Sequence, residues 1–230
     1  MRKLFTTLMV ALCAVIGCQA ITNEELVKIQ KDKKYQERWG QKATVFNTLG
    51  VDSTNIVMLG NSLTDFNEWQ EMLDNPNIVN RGIAGDIVQG VADRLDCVVD
   101  GKPAKIFLMS GVNDVSHHLT ADSIATAIVN LVKTIRQRTP GTKLYVESLL
   151  PINNTFGRYK NLKDKEQVIR DINALLKPQV EAAGAVWIDL YPHFCDENGN
   201  LKAEWTNDGL HVLGNGYLVW AELLRPYIEE

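Results

Sequence analysis

The chain has 230 residues, of which 45% are hydrophobic and 23% are charged, and its formal net charge is −4. These values are typical of one globular domain and exclude a disordered or fibrous chain. The acidic balance, together with a sequence free of dense Lys and Arg runs, argues against nucleic acid as a partner.

Residues 1–20 have the pattern of an export signal. Two basic residues precede an uncharged apolar stretch, residues 4–16, which is too short for a normal transmembrane helix. The end of the signal has two interpretations. The VIGC motif resembles the lipobox of bacterial lipoproteins, with Cys18 lipidated, whereas small residues also allow ordinary cleavage after Ala20. We expect an exported protein that is periplasmic, secreted, or attached to the cell surface by a lipid anchor.

Outside the signal the only cysteines are Cys97 and Cys195. Two cysteines allow one disulfide in an oxidising compartment, but they form neither a disulfide framework nor a metal-ligand pattern. We interpret both as buried thiols.

A helical extension over residues 21–50 is predicted ahead of a domain that spans residues 51–230. The sequence of the extension predicts one leading helix, residues 22–47, that packs on the outside of the domain. Beyond it, short apolar runs alternate with longer amphipathic segments, and near-continuous apolar runs are typical of parallel strands covered on both faces. These runs predict strands at residues 56–59, 78–80, 105–110, 143–148 and 186–190.

Three long helices are predicted, because their apolar residues fall on one face. The alternation of strands and helices indicates the α/β fold class, as a doubly wound, flavodoxin-like three-layer sandwich with about five parallel strands. Ligands of such sheets bind at the carboxyl ends of the strands. The helices cover residues 121–138, 164–183 and 215–228, and the loops at the strand ends are 60–66, 81–86, 111–118, 149–160 and 191–211.

The first of these loops contains Ser62, within the stretch IVMLGNSLTDF. A serine directly before a helix is often its N-cap, with the hydroxyl accepting a backbone N–H hydrogen bond. The same position is also where an open α/β sheet presents side chains to a ligand. This stretch alone leaves both interpretations open.

The other loops contain the remaining groups that acyl transfer by a serine requires. Gly82 and Gly85, in NRGIAGD, let backbone N–H groups approach an anion. Asn113, in SGVND, offers a side-chain amide to a developing oxyanion. Asp208 precedes His211 by three residues in NDGLH, so the carboxylate can orient the imidazole that serine needs as a base. Taken singly, each of these residues has a turn or a cap as its alternative.

Three other histidines compete for the role of base. His117 and His118 follow the third strand, and His193 follows the fifth. His193 is the strongest rival, but its nearest preceding carboxylate, Asp189, belongs to the predicted strand. We therefore favour His211.

With these residues in place, the sequence resembles the SGNH hydrolases, also called GDSL-type esterases, from about residue 50 to residue 228. LGNSLTD, NRGIAGD, SGVND and NDGLH are similar to the first, second, third and fifth blocks of that family, and they occur in the family's order. One departure is Asn61, which stands where the family name has an aspartate. That aspartate is not a member of the family's catalytic triad.

The resemblance implies that Ser62 is the nucleophile, His211 the general base and Asp208 its orienting partner. It also implies an oxyanion hole made by the backbone N–H groups of Ser62 and Gly85 and by the side chain of Asn113. The expected mechanism proceeds through an acyl-enzyme and needs no metal or organic cofactor.

The substrate is indicated by the loop after the fourth strand. Amides, an arginine and aromatic rings suit a small polar ester, such as an acetylated carbohydrate, although a solvated loop is the structural alternative. The resemblance extends to acetylhydrolases that remove short acyl groups, including sialate-type O-acetylesterases. We therefore expect a serine esterase that removes short acyl groups, with acetyl favoured, from a small-molecule or glycan ester. The candidate substrate residues are Asn153, Asn154, Phe156, Arg158 and Tyr159.

Two alternatives remain from the sequence. A lysophospholipase or thioesterase would use the same residues, although the loop offers no material for the wide apolar cleft of a long-chain lipase. A non-catalytic glycan-binding module is the alternative from another functional class, and the filled triad positions argue against it.

Overall fold

The computed structural model describes residues 20–230, and residues 1–19, which carry most of the predicted export signal including Cys18, lie outside the described part. Five parallel strands form one sheet, as predicted. The strands are β1 (Ile56–Gly60), β2 (Ile78–Gly82), β3 (Lys105–Met109), β4 (Lys143–Glu147) and β5 (Val186–Ile188).

The helices alternate with the strands along the chain. Three short 3₁₀ helices lie at Asn154–Phe156, Lys160–Leu162 and Ala203–Trp205. The α-helices are α1 (Asn23–Asp32), α2 (Glu37–Leu49), α3 (Ser62–Asp65), α4 (Trp69–Met72), α5 (Val88–Asp93), α6 (Asp96–Val99), α7 (Val112–Ser116), α8 (Ala121–Arg138), α9 (Glu166–Ala182), α10 (Tyr191–Phe194) and α11 (Gly214–Glu229).

The strand order β2-β1-β3-β4-β5 is that of a doubly wound sheet. Every residue of β1 and β3 is buried, and apart from Lys105 at the start of β3 these strands contain no polar side chain, as expected for strands covered on both faces. Helices that cover the sheet form two groups. In one group α8 packs on α5 and α9, and in the other α11 packs on α4. The winding direction reverses between β1 and β3, and such a switch point opens a crevice at the carboxyl ends of the strands. Ser62 and Asn113 follow these two strands.

The single leading helix predicted over residues 22–47 is wrong. The structure has two helices, α1 and α2, because Lys34 between them adopts a left-handed φ of 55° that no helix tolerates. The start of α1 has a capping box, in which Thr22 and Glu25 each accept a backbone N–H of the other. The buried side chains of the pair meet the main domain in a second apolar cluster, formed by Leu26, Trp39, Ala43, Phe46, Ile83 and Cys97.

Both cysteines in the described residues are free thiols. Cys97 is buried as predicted, whereas Cys195 is partly exposed, because it lies in the turn after α10 rather than beneath a helix. Within residues 20–230 no helix has the length and apolarity needed to cross a membrane.

Candidate active site

Ser62 is the first residue of α3, directly beyond the end of β1. The N-cap of this helix is Asn61, whose side-chain Oδ1 accepts the Leu63 N–H at 3.0 Å. The interpretation of the Ser62 hydroxyl as a cap is therefore wrong, because its neighbour fills that position. The hydroxyl is left to contact another part of the chain.

His211 connects Ser62 to Asp208. The imidazole Nε2 lies 2.9 Å from the Ser62 Oγ, and Nδ1 lies 2.7 Å from Oδ2 of Asp208. Each distance is within normal hydrogen-bond range. The side chains of His211 and Asp208 are 18% and 16% exposed, so the pair is open to a substrate on one side. This arrangement has the geometry of an activated serine nucleophile.

Asp208 is held by its own loop. Its Oδ1 accepts the backbone N–H groups of Leu210 and His211 at 2.9 and 2.8 Å, so the carboxylate is aligned before Oδ2 meets the imidazole. Burial acts to raise the pKa of the Asp208 carboxyl, but these hydrogen bonds and the His211 ring outweigh burial and hold that pKa below its usual value. The carboxylate therefore stays charged while it orients the base.

The two backbone N–H groups predicted for the oxyanion hole have no acceptor among the described residues. Among residues 20–230, neither the N–H of Ser62 nor that of Gly85 donates a hydrogen bond. Gly85 has a φ of +81°, which a side chain would strain, so the conformation that frees its N–H requires glycine. The side-chain amide of Asn113 donates one hydrogen to the carbonyl oxygen of Asp86 at 2.7 Å and keeps its second hydrogen. Each of the three groups predicted for the oxyanion hole therefore keeps a donor hydrogen, and their shared role stays a prediction.

A family model now decides the classification. The model of the GDSL-like lipase/acylhydrolase family matches residues 48–219, which extends from the end of α2 into the start of α11 and includes Ser62 and His211. The chain belongs to the GDSL-like lipase/acylhydrolase family. Its sheet and flanking helices form the SGNH hydrolase fold, and family membership makes it a hydrolase that acts on esters.

Known proteins similar to this GDSL-type hydrolase include two relatives in sequence and one solved structure with a similar fold. Platelet-activating factor acetylhydrolase IB subunit alpha2 of Rattus norvegicus is 28% identical over 184 residues, covering 76% of this chain and 75% of that protein. N-acylneuraminate cytidylyltransferase of Escherichia coli O18:K1:H7 is also 28% identical, over 87% of this chain but only 46% of that protein. In fold, a GDSL-like lipase from Bacteroides thetaiotaomicron matches 90% of this chain and 98% of its own, with a TM-score of 0.66 and 20% identity.

A buried arginine supports the oxyanion side of this hydrolase and was not predicted. The Arg94 side chain is fully buried and forms an ion pair with Asp86 at 2.8 Å. It also donates to the carbonyl oxygens of Arg81 and Gly60 at 2.9 and 3.0 Å, so it ties the Gly85 loop to the end of β1. No local pattern around Arg94 marks it, because its partners come from three separate segments.

Asp65 makes a second connection that the sequence did not reveal. Its side chain is 3% exposed and accepts hydrogen bonds from Lys42 and from the Ala84 N–H, at 2.9 and 3.0 Å. Gly82 lies so close that a Cβ on it would come within 2.2 Å of the Asp65 backbone nitrogen, so glycine is required there. Asp65 thereby joins the nucleophile helix, the glycine loop and α2.

The turn between α1 and α2 forms one wall of a cleft beside Gly85. The cleft measures about 190 Å³, and the Gly85 loop and His117 form its other wall. Gln36 lies over the glycine, since a Cβ on Gly85 would be 3.0 Å from the Gln36 Nε2. The N-terminal helices thus reach the site as well as packing on the domain. The lining residues from the N-terminal side are Lys34, Tyr35, Gln36 and Trp39.

The predicted substrate loop divides into three groups of residues. Asn153 is buried, and its amide donates to the Leu201 carbonyl at 2.8 Å, while Asn154 donates to Glu166, so both amides hold the loop together. Phe156 and Arg158 are exposed.

Tyr159 is different, because it contacts the triad. Its hydroxyl donates to Oδ2 of Asp208 at 3.0 Å and lies 3.2 Å from Nδ1 of His211. A tyrosine predicted to face substrate therefore touches the Asp208 carboxylate and the His211 ring directly.

The rival histidines lie elsewhere. His193 is on α10, and its described contacts are backbone hydrogen bonds with Leu190 and with the Lys202 ammonium. His117 and His118 are exposed at the end of α7. Within residues 20–230, no three His, Cys, Asp or Glu side chains come together as metal ligands.

Proposed function

We propose that the protein is an exported serine esterase that removes short acyl groups, with acetyl preferred, from carbohydrate esters. The observation that carries the proposal is the contact of His211 with both Ser62 and Asp208, 2.9 and 2.7 Å away. Within residues 20–230, the N–H groups of Ser62 and Gly85 donate no hydrogen bond. A nucleophile, a base, an orienting carboxylate and anion-binding donors are the parts that ester hydrolysis through an acyl-enzyme requires.

The chemistry follows from this arrangement. His211 Nε2 takes the Ser62 proton as Oγ attacks the ester carbonyl, and the carbonyl oxygen becomes an anion that the N–H groups of Ser62 and Gly85 and the Asn113 amide stabilise. The bond to the leaving oxygen then breaks, and His211 returns its proton to that oxygen. Water, activated by His211, releases the acid and restores Ser62.

The choice of acyl group and alcohol has its own support. The relative from Rattus norvegicus is named for acetyl removal, and the relative from Escherichia coli is named for an acylated sugar acid. The export signal predicted over residues 1–20 would bring the enzyme to extracellular polysaccharides. Asn153 and Asn154 hold the loop beside the triad rather than opening a wide apolar groove, which favours a short ester over a long-chain lipid.

The test is hydrolysis of nitrophenyl acetate and nitrophenyl octanoate by the purified protein, followed by acetylated oligosaccharides. We expect the acetate to have the higher kcat/KM, and a Ser62→Ala variant with an unchanged circular dichroism spectrum to be inactive. Preference for octanoate would overturn the short-acyl proposal in favour of a lysophospholipase or thioesterase. Equal inactivity of both proteins would overturn the esterase itself, and glycan binding without turnover would then be measured.

A further inference from the structure

The side chain of Phe66 lies beside the catalytic histidine and is open to solvent. Its ring is 52% exposed, and its centroid is 5.0 Å from that of the His211 imidazole at an interplanar angle of 43°. Single exposed apolar residues are common and mean little by themselves. Phe66 differs from such residues because, among residues 20–230, its ring contact is with the imidazole that is proposed to move the proton.

The backbone holds Phe66 in this place. Phe66 is the C-cap of α3, and its N–H donates to the Ser62 carbonyl at 3.0 Å, so the ring is carried by the same turn that carries the nucleophile. The adjoining Asp65 is buried and is anchored by its ion pair with the partly exposed Lys42. The ring therefore keeps a set position relative to the reacting oxygen.

The proposed reaction brings the leaving alcohol next to the imidazole. His211 must return its proton to the leaving oxygen, so that oxygen lies within about 3 Å of Nε2 when the bond to the acyl carbon breaks. The first carbon atoms of the alcohol then lie next to the imidazole and next to whatever flanks it. Two aromatic side chains flank the imidazole, Phe66 at 5.0 Å and Tyr159 at 5.7 Å between centroids.

Only one of the two rings offers an unoccupied surface. The Tyr159 hydroxyl is engaged with Asp208 at 3.0 Å, and this ring is mostly covered. The Phe66 side chain has no polar atom, so it cannot form hydrogen bonds with individual hydroxyl groups of an alcohol. It can gain contact area with a flat apolar face, such as the C–H face of a sugar ring.

We propose that Phe66 is the leaving-group platform of this esterase: the alcohol stacks on its ring, and the enzyme selects ring-shaped alcohols with an apolar face over short open-chain alcohols. This inference rests on the proposed esterase function and names the alcohol half of its substrate. The acyl group lies on the other side of the carbonyl carbon, away from His211, so the platform does not set acyl-chain length.

The experiment compares acetate esters that differ only in the alcohol: ethyl acetate, cyclohexyl acetate and a mono-O-acetylated methyl glucoside. The wild type, Phe66→Leu and Phe66→Ala are measured with each. We expect the ratio of kcat/KM between the glucoside ester and ethyl acetate to fall about tenfold in Phe66→Ala, a loss of ring contact equivalent to about 1.4 kcal/mol. The ratio for cyclohexyl acetate should fall similarly, and Phe66→Leu should lie between.

The matched control is Val186→Ala. Val186 is an exposed apolar residue, 45% exposed, at the amino end of β5 and so at the opposite edge of the sheet from the site. This variant should keep the wild-type ratios. The shape of the kcat/KM pH profile should also be the same in Phe66→Ala and wild type, because the platform touches substrate and does not set the charge of the base.

The other outcomes overturn the inference. An equal loss on all three esters, or a changed pH profile, would mean that Phe66 only positions His211. A loss on cyclohexyl acetate but not on the glucoside would exclude a sugar as the stacked alcohol. Absence of any Ser62-dependent hydrolysis, including that of nitrophenyl acetate, would overturn the proposed function and this inference with it, whereas normal hydrolysis with unchanged ratios would overturn the inference alone.

Discussion

The two halves of the candidate active site are built in different ways. The proposed base half, Asp208 and His211, comes from one loop of four residues and is partly open, at 16% and 18% exposure. The proposed oxyanion half draws Gly85 from the loop after β2 and Asn113 from α7, and it rests on the Asp86–Arg94 ion pair, which is 1% and 0% exposed. A short loop orients its side chains with local hydrogen bonds, whereas separate segments need a buried connection. We therefore expect damage to the base half to affect chemistry, and damage beneath the oxyanion half to affect folding.

The largest expected effect is on the base half. His211→Ala should lower kcat by roughly 10⁵- to 10⁶-fold, because Ser62 loses its only proton acceptor among the described contacts. Thermal unfolding should stay near the wild-type curve. The control is His193→Ala, which removes the rival histidine and should keep full activity. Activity of His211→Ala above one hundredth of wild type, roughly, would mean that another group acts as base.

The next effect tests the buried connection. Arg94→Met should lower the free energy of unfolding by about 3–5 kcal/mol, because Asp86 would remain buried without its partner. Denaturant titration measures this change. Arg225→Met is the control, since the ion pair of Arg225 with Glu222 is on the surface and its loss should leave the midpoint unchanged. Wild-type stability of Arg94→Met would show that the pair does not support the loop.

A third variant separates catalysis from folding within the oxyanion half. Asn113→Ala should lower kcat by about 100- to 1000-fold with a small change in KM, because the amide donates to charge that develops only in the transition state. Asn130→Ala, an exposed amide on α8, serves as the control. A rise in KM with unchanged kcat would assign Asn113 to substrate binding instead.

The contributions of the two halves to the free energy of unfolding should also change with pH in opposite directions. Hydrogen bonds hold the pKa of Asp208 down, whereas burial raises the pKa of Asp114, beside the oxyanion loop, to about 6. A carboxyl with a lowered folded pKa contributes stability that is lost as pH falls through that pKa. A carboxyl with a raised folded pKa contributes stability that is present below the unfolded pKa, near 4, and is lost as pH rises toward 6.

Asp114→Asn isolates the second of these effects. Asparagine keeps an acceptor for the Val88 N–H, which lies 3.1 Å from the Asp114 carboxylate, but it has no proton to lose. Between pH 4 and pH 7 the wild type should lose roughly 2–3 kcal/mol of stability relative to the variant. Unfolding curves of both proteins at four pH values measure the difference between their free energies of unfolding. The contributions of groups that titrate in both proteins cancel in this difference. A difference that does not vary with pH would refute the raised pKa.

The smallest expected effect concerns Tyr159. Tyr159→Phe removes one donor from Asp208 Oδ2, while Asp208 keeps its two backbone donors, so kcat should fall only about 3- to 10-fold. Tyr191→Phe is the matched control, because its hydroxyl bonds weakly to the Gly199 carbonyl, 3.4 Å away and apart from the triad. A loss of more than about a hundredfold would place the tyrosine hydroxyl in the chemistry itself.

The elements that the sequence predicted well are those with long periodic or continuous patterns. Helix 121–138 has the predicted bounds, because its apolar face repeats over its whole length and Thr120 caps its start. Helices α4 to α7 were not predicted, since four to six residues contain too little of the helical period. Strand β5 ends at Ile188 rather than at residue 190, where the chain turns into α10.

The sequence by itself determined the sheet, the family blocks and the Asp208–His211 pair, because each depends on residues that are close along the chain. Only the tertiary structure decided that Asn61 caps the nucleophile helix, that Tyr159 reaches Asp208 across 49 residues, and that Phe66 lies beside His211. It also decided that Arg94 joins Gly60 to the glycine loop across 34 residues. A buried hydrogen bond between distant segments leaves no spacing in the sequence, because the fold, and not the chain order, brings its donor and acceptor together.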